Sequence, residues 1–348
     1  AKWASAVASR RDPSRFIPQT IAHRGFRASF PENSMAAFRA AVEVGAHALE
    51  TDDPSLKRCF GVDLLIKDCT WSYLSSLRTL KQPHEPLPRL VDLLEYLVSG
   101  PETENIWVLL DIKDLLQAIA CALTEVSSAT PWDERIIIGC WNKTQQATFM
   151  KAALALLPGY PLAHISTSLY YSRHFLPIPN LAFNMFQLLL VGPLGSWFLT
   201  NARAAARPVF AWTVNSPKWM EWCIRRNISA TPSLPSASSS SSSLSEDPKL
   251  TSTPTSSPVL IDGVITDDPK LFLQVCSRVE DDLDGKPTSS AVTRRPNLSV
   301  VLGSLTSGLG TTCGILFINV FATSFFWYRR LQGRVDKFDV GFFKNFQG

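Results

Sequence analysis

The stretch TIAHRGFRASFPENSMAAFRAAVEVGAHALETD, residues 20–52, contains one complete strand–helix–strand unit. A short β-rich run ends in the polar triplet His-Arg-Gly at 23–25, and a second apolar run ends in Glu50 and Asp52. Between these runs, the residues that follow Asn33 have the composition of a helix. Two largely apolar strands joined by a helix are typical of a parallel sheet that is covered on both faces.

The same alternation continues along most of the chain. Eight β-rich runs occur, at 19–25, 46–52, 106–113, 135–141, 161–167, 180–185, 208–214 and 259–267. Eight strand units within about 250 residues predict an α/β fold of the (β/α)8 TIM-barrel type. A doubly wound open sheet is the alternative, and it is less favoured because no glycine-rich phosphate loop follows the first strand.

The composition narrows the class of protein. Of the 348 residues, 45% are hydrophobic, which is enough for a large single core. The net charge is +4 and no basic cluster with interleaved aromatic residues occurs, so we expect no nucleic-acid partner. The seven cysteines have no CxxC spacing, and we therefore expect neither a disulfide framework nor a zinc site.

Composition also divides the chain into regions. A serine- and proline-rich insertion interrupts the barrel and cannot bury apolar surface, so we expect it to be disordered. The expected regions are an N-terminal extension at 1–18, the barrel at 19–275 with its insertion at 231–258, a linker at 276–297, an apolar segment at 298–328 and a short tail at 329–348.

The segment at 298–328 contains no charged residue, ends in four aromatic residues and is followed by Arg329 and Arg330. This pattern predicts a C-terminal transmembrane helix, and a buried core helix is the alternative. The first residues lack the apolar core of a signal peptide. We therefore expect a single-pass membrane protein whose barrel lies on the cytosolic side.

Polar residues follow most of the predicted strands, which is where a TIM barrel carries its active site. Those that we single out are His23 and Arg24, Glu50 and Asp52, Asp111 and Lys113, Trp212 and Asn215, and Thr266 and Asp267. Because they all belong to the carboxyl ends of strands, we expect them to surround one mouth of the barrel.

Three of these residues suggest a metal site. Glu50 and Asp52 are two apart on a strand and face the same way, and Asp111 ends the next strand. Three carboxylates around one point repel each other unless a cation lies between them. Hard oxygen ligands suit Mg²⁺ or Ca²⁺.

Positively charged residues lie beside the three carboxylates. Arg24 and Lys113 would stabilise the negative charge that gathers on the oxygens of a phosphate ester during reaction. His23 suits a general acid or base. The combination predicts metal-assisted chemistry on a phosphate ester.

The motifs resemble a known family. Residues 20–52 resemble the opening of the glycerophosphodiester phosphodiesterase family, with HRG, PEN, a helix containing AF, and GA followed by ExD. VFAWTVNS and DGVITDDP resemble its last two strands. DPSLKRCFG, LLDIK and LVGPLG resemble the fungal phosphatidylglycerol phospholipase C-like branch. The resemblance covers roughly residues 18–275.

The resemblance implies a role for each matching residue. His23 matches the first catalytic histidine, Arg24 the phosphate-binding arginine, Glu50, Asp52 and Asp111 the metal ligands, Lys113 the phosphate-side lysine, and Trp212 the tryptophan that lines the substrate pocket. Asp111 stands where many members have glutamate.

The chain departs from the family pattern after Asp52. Members continue with a β-hairpin that brings in a second catalytic histidine just before Asp-Pro. Here Asp52 is followed directly by Asp53 and Pro54, so that histidine is absent. We expect the barrel to fold and catalysis to be impaired.

Two functions remain open. The first is a membrane-anchored phospholipase C-type phosphodiesterase that cleaves phosphatidylglycerol to diacylglycerol and glycerol phosphate. The second is a non-catalytic barrel that binds a phospholipid headgroup or a partner protein at the membrane. The phosphatidylinositol-specific phospholipase C class shares the barrel, but the PEN, WTVN and ITDDP motifs argue against it.

Overall fold

A closed barrel of eight parallel strands forms the body of the protein in the computed structural model. The structure describes residues 1–52, 54–112, 115–141, 146–228 and 259–286, together with Gly314, Val320, Phe321, Ser324 and Tyr328. The prediction of a (β/α)8 barrel is confirmed, and the closure of the sheet excludes the doubly wound alternative.

All eight predicted strands are present. A short antiparallel ribbon, β1 (Val7–Ala8) and β2 (Phe16–Ile17), precedes them. The barrel strands are β3 (Gln19–His23), β4 (Ala48–Asp52), β5 (Trp107–Ile112), β6 (Ile136–Cys140), β7 (Leu162–Ser166), β8 (Leu181–Phe186), β9 (Val209–Trp212) and β10 (Gly263–Thr266). Each pairs with the next in chain order, and β10 pairs with β3 to close the barrel.

Helices cover the outside of the barrel. They are α1 (Met35–Glu43), α2 (Leu56–Phe60), α3 (Trp71–Ser76), α4 (Leu90–Leu97), α5 (Leu116–Glu125), α6 (Gln146–Leu156), α7 (Leu169–Ser172), α8 (Gly192–Ala204), α9 (Pro217–Ile228) and α10 (Pro269–Leu283). Ser34 directly precedes helix α1, and its side chain accepts a hydrogen bond from the Ala37 N–H group and so caps the first turn.

The strands separate two layers of apolar packing. Ile21, Ala48 and Trp107 are in register on three neighbouring strands and fill the barrel interior. The side chains between them point outward, because successive residues of a strand face opposite sides, and they pack against the helices. Two residues beyond Ile21 and Ala48, the inward face carries His23 and Glu50 instead of apolar groups. The alternation therefore places the polar residues at the carboxyl end of the barrel.

The first residues of the chain close the opposite end. Ala4 is completely buried and packs with the inner core, and the ring of Trp3 lies 5.4 Å from that of Trp107. The Gln19 amide donates hydrogen bonds to the carbonyl oxygens of Trp3 and Ser5, at 2.7 and 2.6 Å. The amino end of the barrel is therefore filled by side chains.

The serine-rich insertion at 231–258 lies outside the described residues, and the expectation that it is disordered stays a prediction. Its two flanks are joined by Asn227, which is 1% exposed. The Asn227 amide donates to the Ile261 carbonyl oxygen at 2.8 Å and accepts the N–H groups of Leu260 and Ile261, each at 2.9 Å. The end of α9 and the residues just before β10 thus lie together at the amino end of the barrel, away from the polar mouth.

The predicted membrane anchor requires a correction. Within the described part of the chain, no helix combines the length and the apolar character that a membrane crossing needs. This contradicts the predicted transmembrane helix over 298–328 and the single-pass location that depended on it. Most of that segment lies outside the described residues. Absence of charge suggested a span, but a span also needs a continuous helix that satisfies every backbone polar group.

Candidate active site

His23 stands at the end of β3 and is held by Asp267, which follows β10. The Nδ1 atom of His23 lies 2.6 Å from Asp267 Oδ1. Burial opposes ionisation of Asp267, but the hydrogen bond from His23 and the nearby guanidinium of Arg27 hold its pKa below the ordinary value. An ionised carboxylate accepts the Nδ1 proton, so the other ring nitrogen, Nε2, is free to exchange a proton with a substrate. His23 Nε2 lies 3.9 Å from Glu50 Oε2.

Arg24 follows His23 in an unusual backbone conformation. Its φ angle is 57°, in the left-handed region that few side chains other than glycine adopt. This turn aims the Arg24 N–H group at Glu50 Oε2, 2.9 Å away. The guanidinium reaches Asp52 Oδ2 at 2.8 Å and Glu32 Oε1 at 3.0 Å. A strained backbone conformation persists only where the surrounding structure holds it in place, and such conformations cluster at functional sites.

The next residue, Gly25, makes the turn possible. Its φ angle is +78°, and a Cβ atom there would lie 2.7 Å from the backbone of Ala37 in α1. A side chain would therefore separate the His23-Arg24 turn from the helix that follows. The HRG motif therefore requires glycine at this position for a steric reason.

Three carboxylates converge beside this turn, as predicted. Glu50 and Asp52 end β4, and Asp111 lies opposite Asp52 on β5. Burial, together with the neighbouring charges of Asp52 and Asp111, raises the pKa of Glu50 well above its ordinary value. Bringing a divalent cation to these groups would relieve that repulsion, so the chemistry of the three donors fits a metal ion.

In this structure the three carboxylates are not arranged as the ligands of one metal ion. Among the residues described, no three His, Cys, Asp or Glu side chains are placed as ligands of one ion. Both carboxylate oxygens of Asp52 have protein partners, since the Arg24 guanidinium contacts Oδ2 and the Asn33 amide donates to Oδ1 at 2.9 Å. Metal binding at these residues stays a prediction.

A cavity of about 380 Å³ opens onto these groups. Its lining includes His23, Arg24, Glu50, Asp52, Asp111 and Trp212. The Trp212 ring lies 5.1 Å from that of Trp141, and its indole N–H donates to the Asn184 carbonyl oxygen at 3.0 Å. The lining therefore combines aromatic rings with charged groups, as suits a ligand with a polar head and carbon-bound hydrogens.

Two residues of the sequence prediction lie outside the described part of the chain. They are Lys113 and Asp53. The role of Lys113 therefore stays a prediction. The structure describes Asp52 and Pro54 on either side of Asp53, and α2 begins at Leu56.

The other four histidines do not replace the missing one. All are described, and His23 is the only histidine that lines the cavity. His47 accepts a hydrogen bond from the Thr20 N–H group near the start of β3. His164, on β7, is buried against aromatic rings. His84 contacts the Thr79 carbonyl oxygen. His174 lies beside the ring of Tyr170.

Sequence reasoning assigned no role to three residues that organise the site. Asp267 positions His23, Asn33 holds Asp52, and Glu32 pairs with the guanidinium groups of Arg24 and Arg27. Each belongs to a quoted motif: Glu32 and Asn33 lie in PEN, and Asp267 in ITDDP. The motifs mark these three residues in the sequence. The residues that they contact are known only from the fold, which brings together strands that are distant in sequence.

Comparison with known proteins agrees with this geometry. A sequence model of the Glycerophosphoryl diester phosphodiesterase family matches residues 23–271, well over half of the chain. The chain belongs to this family. The family is one of phosphodiesterases, as the motifs predict, and its enzymes generally use divalent metal ions.

The similarity to an individual curated relative covers a shorter part of the chain than the family model does. Human lysophospholipase D GDPD1 is 36% identical over 78 residues, which cover 19% of this chain and 25% of the human protein. The chain thus spans about a quarter of the length of this curated relative.

Two solved structures have a similar fold. A glycerophosphodiester phosphodiesterase from Agrobacterium tumefaciens has a TM-score of 0.52 and 14% identity, covering 74% of this chain and 100% of that one. A phosphodiesterase from Oleispira antarctica, solved with the product sn-glycerol-3-phosphate, has a TM-score of 0.52 and 17% identity, covering 75% and 97%. At these identities the likeness concerns the fold alone.

Proposed function

We propose that this phosphodiesterase cleaves phosphatidylglycerol in the manner of a phospholipase C, releasing diacylglycerol and glycerol phosphate. The observation that carries the proposal is the joint position of His23, Arg24 and the three carboxylates at one cavity. The motifs that resemble the fungal phosphatidylglycerol phospholipase C-like branch support the choice of substrate. The relative solved with sn-glycerol-3-phosphate supports a glycerol phosphate headgroup.

The proposed reaction moves two protons. The 2-hydroxyl oxygen of the headgroup glycerol forms a bond to phosphorus, and the bond from phosphorus to the diacylglycerol oxygen breaks. The attacking hydroxyl loses a proton and the leaving oxygen gains one. The cyclic glycerol phosphate that results is then opened by water.

His23 performs one of these proton transfers through Nε2, while Asp267 fixes the ring through Nδ1. Arg24 places a positive charge beside the phosphate, and Trp212 contacts the carbon face of the headgroup. A divalent cation bound by Glu50, Asp52 and Asp111 would supply further positive charge to the phosphate oxygens.

Only one of the two proton transfers has a histidine in this chain. A general acid or base contributes on the order of 10²–10⁴ in rate. We therefore expect turnover that is slower by about that factor than in a family member with both histidines.

The test is release of diacylglycerol from phosphatidylglycerol vesicles by the full chain, with Mg²⁺ or Ca²⁺ present. The comparison protein has the family's hairpin, with its histidine, restored between Asp52 and Asp53, and His23→Ala is the inactive control. We expect measurable turnover that His23→Ala abolishes and that the restored hairpin raises. If the native and restored proteins are equally fast, the account of the missing histidine is wrong.

A second candidate function rests on a different feature of the same cavity. Because His23 is the only histidine at the cavity, the protein could bind a phospholipid headgroup without cleaving it. This candidate predicts saturable binding of glycerophosphoglycerol, measured by calorimetry, with no product released by either the native or the restored protein.

A further inference from the structure

A groove lies beside the catalytic cavity and has a different character. Its volume is about 600 Å³. It begins at the ends of β4 and β5 and runs between α4 and α5, with Trp71 and Leu74 of α3 also lining it. Most of its lining side chains are apolar, among them Leu87, Val91 and Ile119. Volumes of 300–1,000 Å³ with mostly apolar walls are typical of ligand sites.

The groove and the cavity share two lining residues. Asp52 and Asp111 line both spaces, so the two are adjacent at the carboxylates that end β4 and β5. A molecule whose phosphate lies beside Arg24 in the cavity can therefore extend its remaining part into the groove. No reaction step described above uses the groove.

Apolar surface continues beyond the groove along α5. Leu115, Ala118 and Cys121 line it and also line a shallow depression that reaches Phe149 and Leu156 of α6. Leu115 is 48% exposed and Trp71, on the far side of the groove, is 46% exposed. Large apolar side chains exposed together beside a concave surface mark binding sites.

The distribution of charge favours one kind of occupant. The end of the groove that meets the cavity is charged, whereas most of its length is apolar. Its other two charged lining residues are Glu125 and Arg89, and Arg89 is already paired with Asp92 at 2.6 Å. A molecule with a charged head and a long hydrocarbon tail would place its head at the charged end and its tail along the apolar walls. A peptide would leave backbone polar groups without partners along the apolar walls.

We propose that this groove binds an acyl chain of the lipid whose phosphodiester headgroup lies in the cavity. The inference rests on the proposed function for the identity of the headgroup. It adds the place where an acyl chain of that lipid lies, and it assigns recognition of the chain to α5 and the segment before α4.

The test is a chain-length series measured by calorimetry. The probes are lysophosphatidylglycerols with six, eight and ten carbons in the chain, below their micellar concentrations, and glycerophosphoglycerol as the headgroup alone. Burial of one methylene contributes about 0.8 kcal/mol, or roughly a fourfold gain in affinity. We expect that gain per methylene for the native protein until the groove is filled.

Two variants of α5 form a matched pair. Ala118 is exposed and lines the groove, so Ala118→Trp should fill it, while Thr124 is exposed on the same helix but lies outside both linings. We expect Ala118→Trp to reduce the gain to under about twofold per methylene, and Thr124→Trp to leave it unchanged. Leu115→Asp, which places a charge at the border and a favourable cap before α5, should act like Ala118→Trp.

Each outcome decides the proposal. Equal chain-length dependence in the native protein, Ala118→Trp and Leu115→Asp would overturn it, because the chain would then bind elsewhere. Failure of the proposed function has a separate signature: glycerophosphoglycerol would neither bind nor be cleaved, while the chain-length dependence would still report on the groove.

Discussion

At the scale of the residue, the site depends on side chains that orient other side chains. The sequence predicts His23, Arg24, Glu50, Asp52, Asp111 and Trp212 at one mouth, because strand ends can be recognised from apolar runs, and the structure brings all six to one cavity. The contact between His23 and Asp267 could not be predicted in the same way. It joins residues 244 apart and exists only because β10 closes onto β3.

The role of Asp267 can be tested by Asp267→Asn. An amide can no longer accept the Nδ1 proton as strongly as a carboxylate, so we expect neutral His23 to shift away from the Nδ1–H tautomer. ¹⁵N NMR of histidine-labelled protein measures this directly. Removing the hydrogen-bond partner of a metal-bound histidine typically costs about 10–100-fold in activity. By analogy, we expect a loss of about that size in the rate of diacylglycerol release.

The adjacent acid provides the control. Asp268 caps α10 by accepting the Leu271 N–H group at 2.9 Å, and asparagine caps helices equally well. Asp268→Asn should therefore leave the His23 tautomer and the rate unchanged. An identical tautomer in Asp267→Asn and the native protein would mean that Asp267 does not position the ring.

At the scale of the element, the strands are the most predictable part. All eight appear where the apolar runs predict them, because a strand buried on both faces needs a continuous apolar run. The sequence does not indicate which outward-facing polar residue is buried. His164 on β7 is an example: it is fully buried, stacks on Phe175 with 4.1 Å between ring centroids, and contacts Phe183, Tyr171 and Ser172.

His164 should make the fold sensitive to acid. Burial lowers its pKa from 6.5 to about 3 in the folded protein. Because the unfolded chain takes up a proton at pH values where the folded protein does not, its contribution to stability is complete above pH 6.5 and is lost as pH falls towards 3. The slope is about 1.4 kcal/mol per pH unit, which amounts to about 2 kcal/mol at pH 5.

His164→Phe removes this titration and keeps the aromatic packing. Ser172 retains a partner, since its hydroxyl donates to the Ser168 carbonyl oxygen at 2.8 Å. Urea unfolding at pH 7 and pH 5 measures the difference. We expect the native protein to lose about 2 kcal/mol more than the variant between these two pH values, and equal losses would contradict the assignment.

At the scale of the whole molecule, composition predicts the architecture less well than the strand pattern predicts the individual elements. The alternation of strands and helices predicts the barrel correctly, because each unit must bury its apolar faces against the next. The same reasoning, applied to the uncharged segment 298–328, predicts a membrane span that the described residues do not support. Composition also does not indicate the link from Asn227 to the residues just before β10.

Asn227→Ala tests this link. The change leaves the N–H groups of Leu260 and Ile261 and the Ile261 carbonyl without their partner, and each buried polar group that loses its bond costs about 1–3 kcal/mol. With partial relaxation, we expect a loss of about 2–4 kcal/mol in the free energy of unfolding, measured with urea. Asn201→Ala is the control, because the Asn201 amide donates within its own helix, to the Trp197 carbonyl oxygen. This change should cost under about 0.5 kcal/mol.

The apolar interior and the reactive groups occupy different levels of the same strands. Ile21 and Ala48 lie two residues below His23 and Glu50. Mutation at the upper level therefore leaves the lower level packed, and a descendant gene can lose or exchange reactive groups while its product still folds. Evolution can retain such a barrel after its first chemistry has weakened, and selection can later act on it for another ligand.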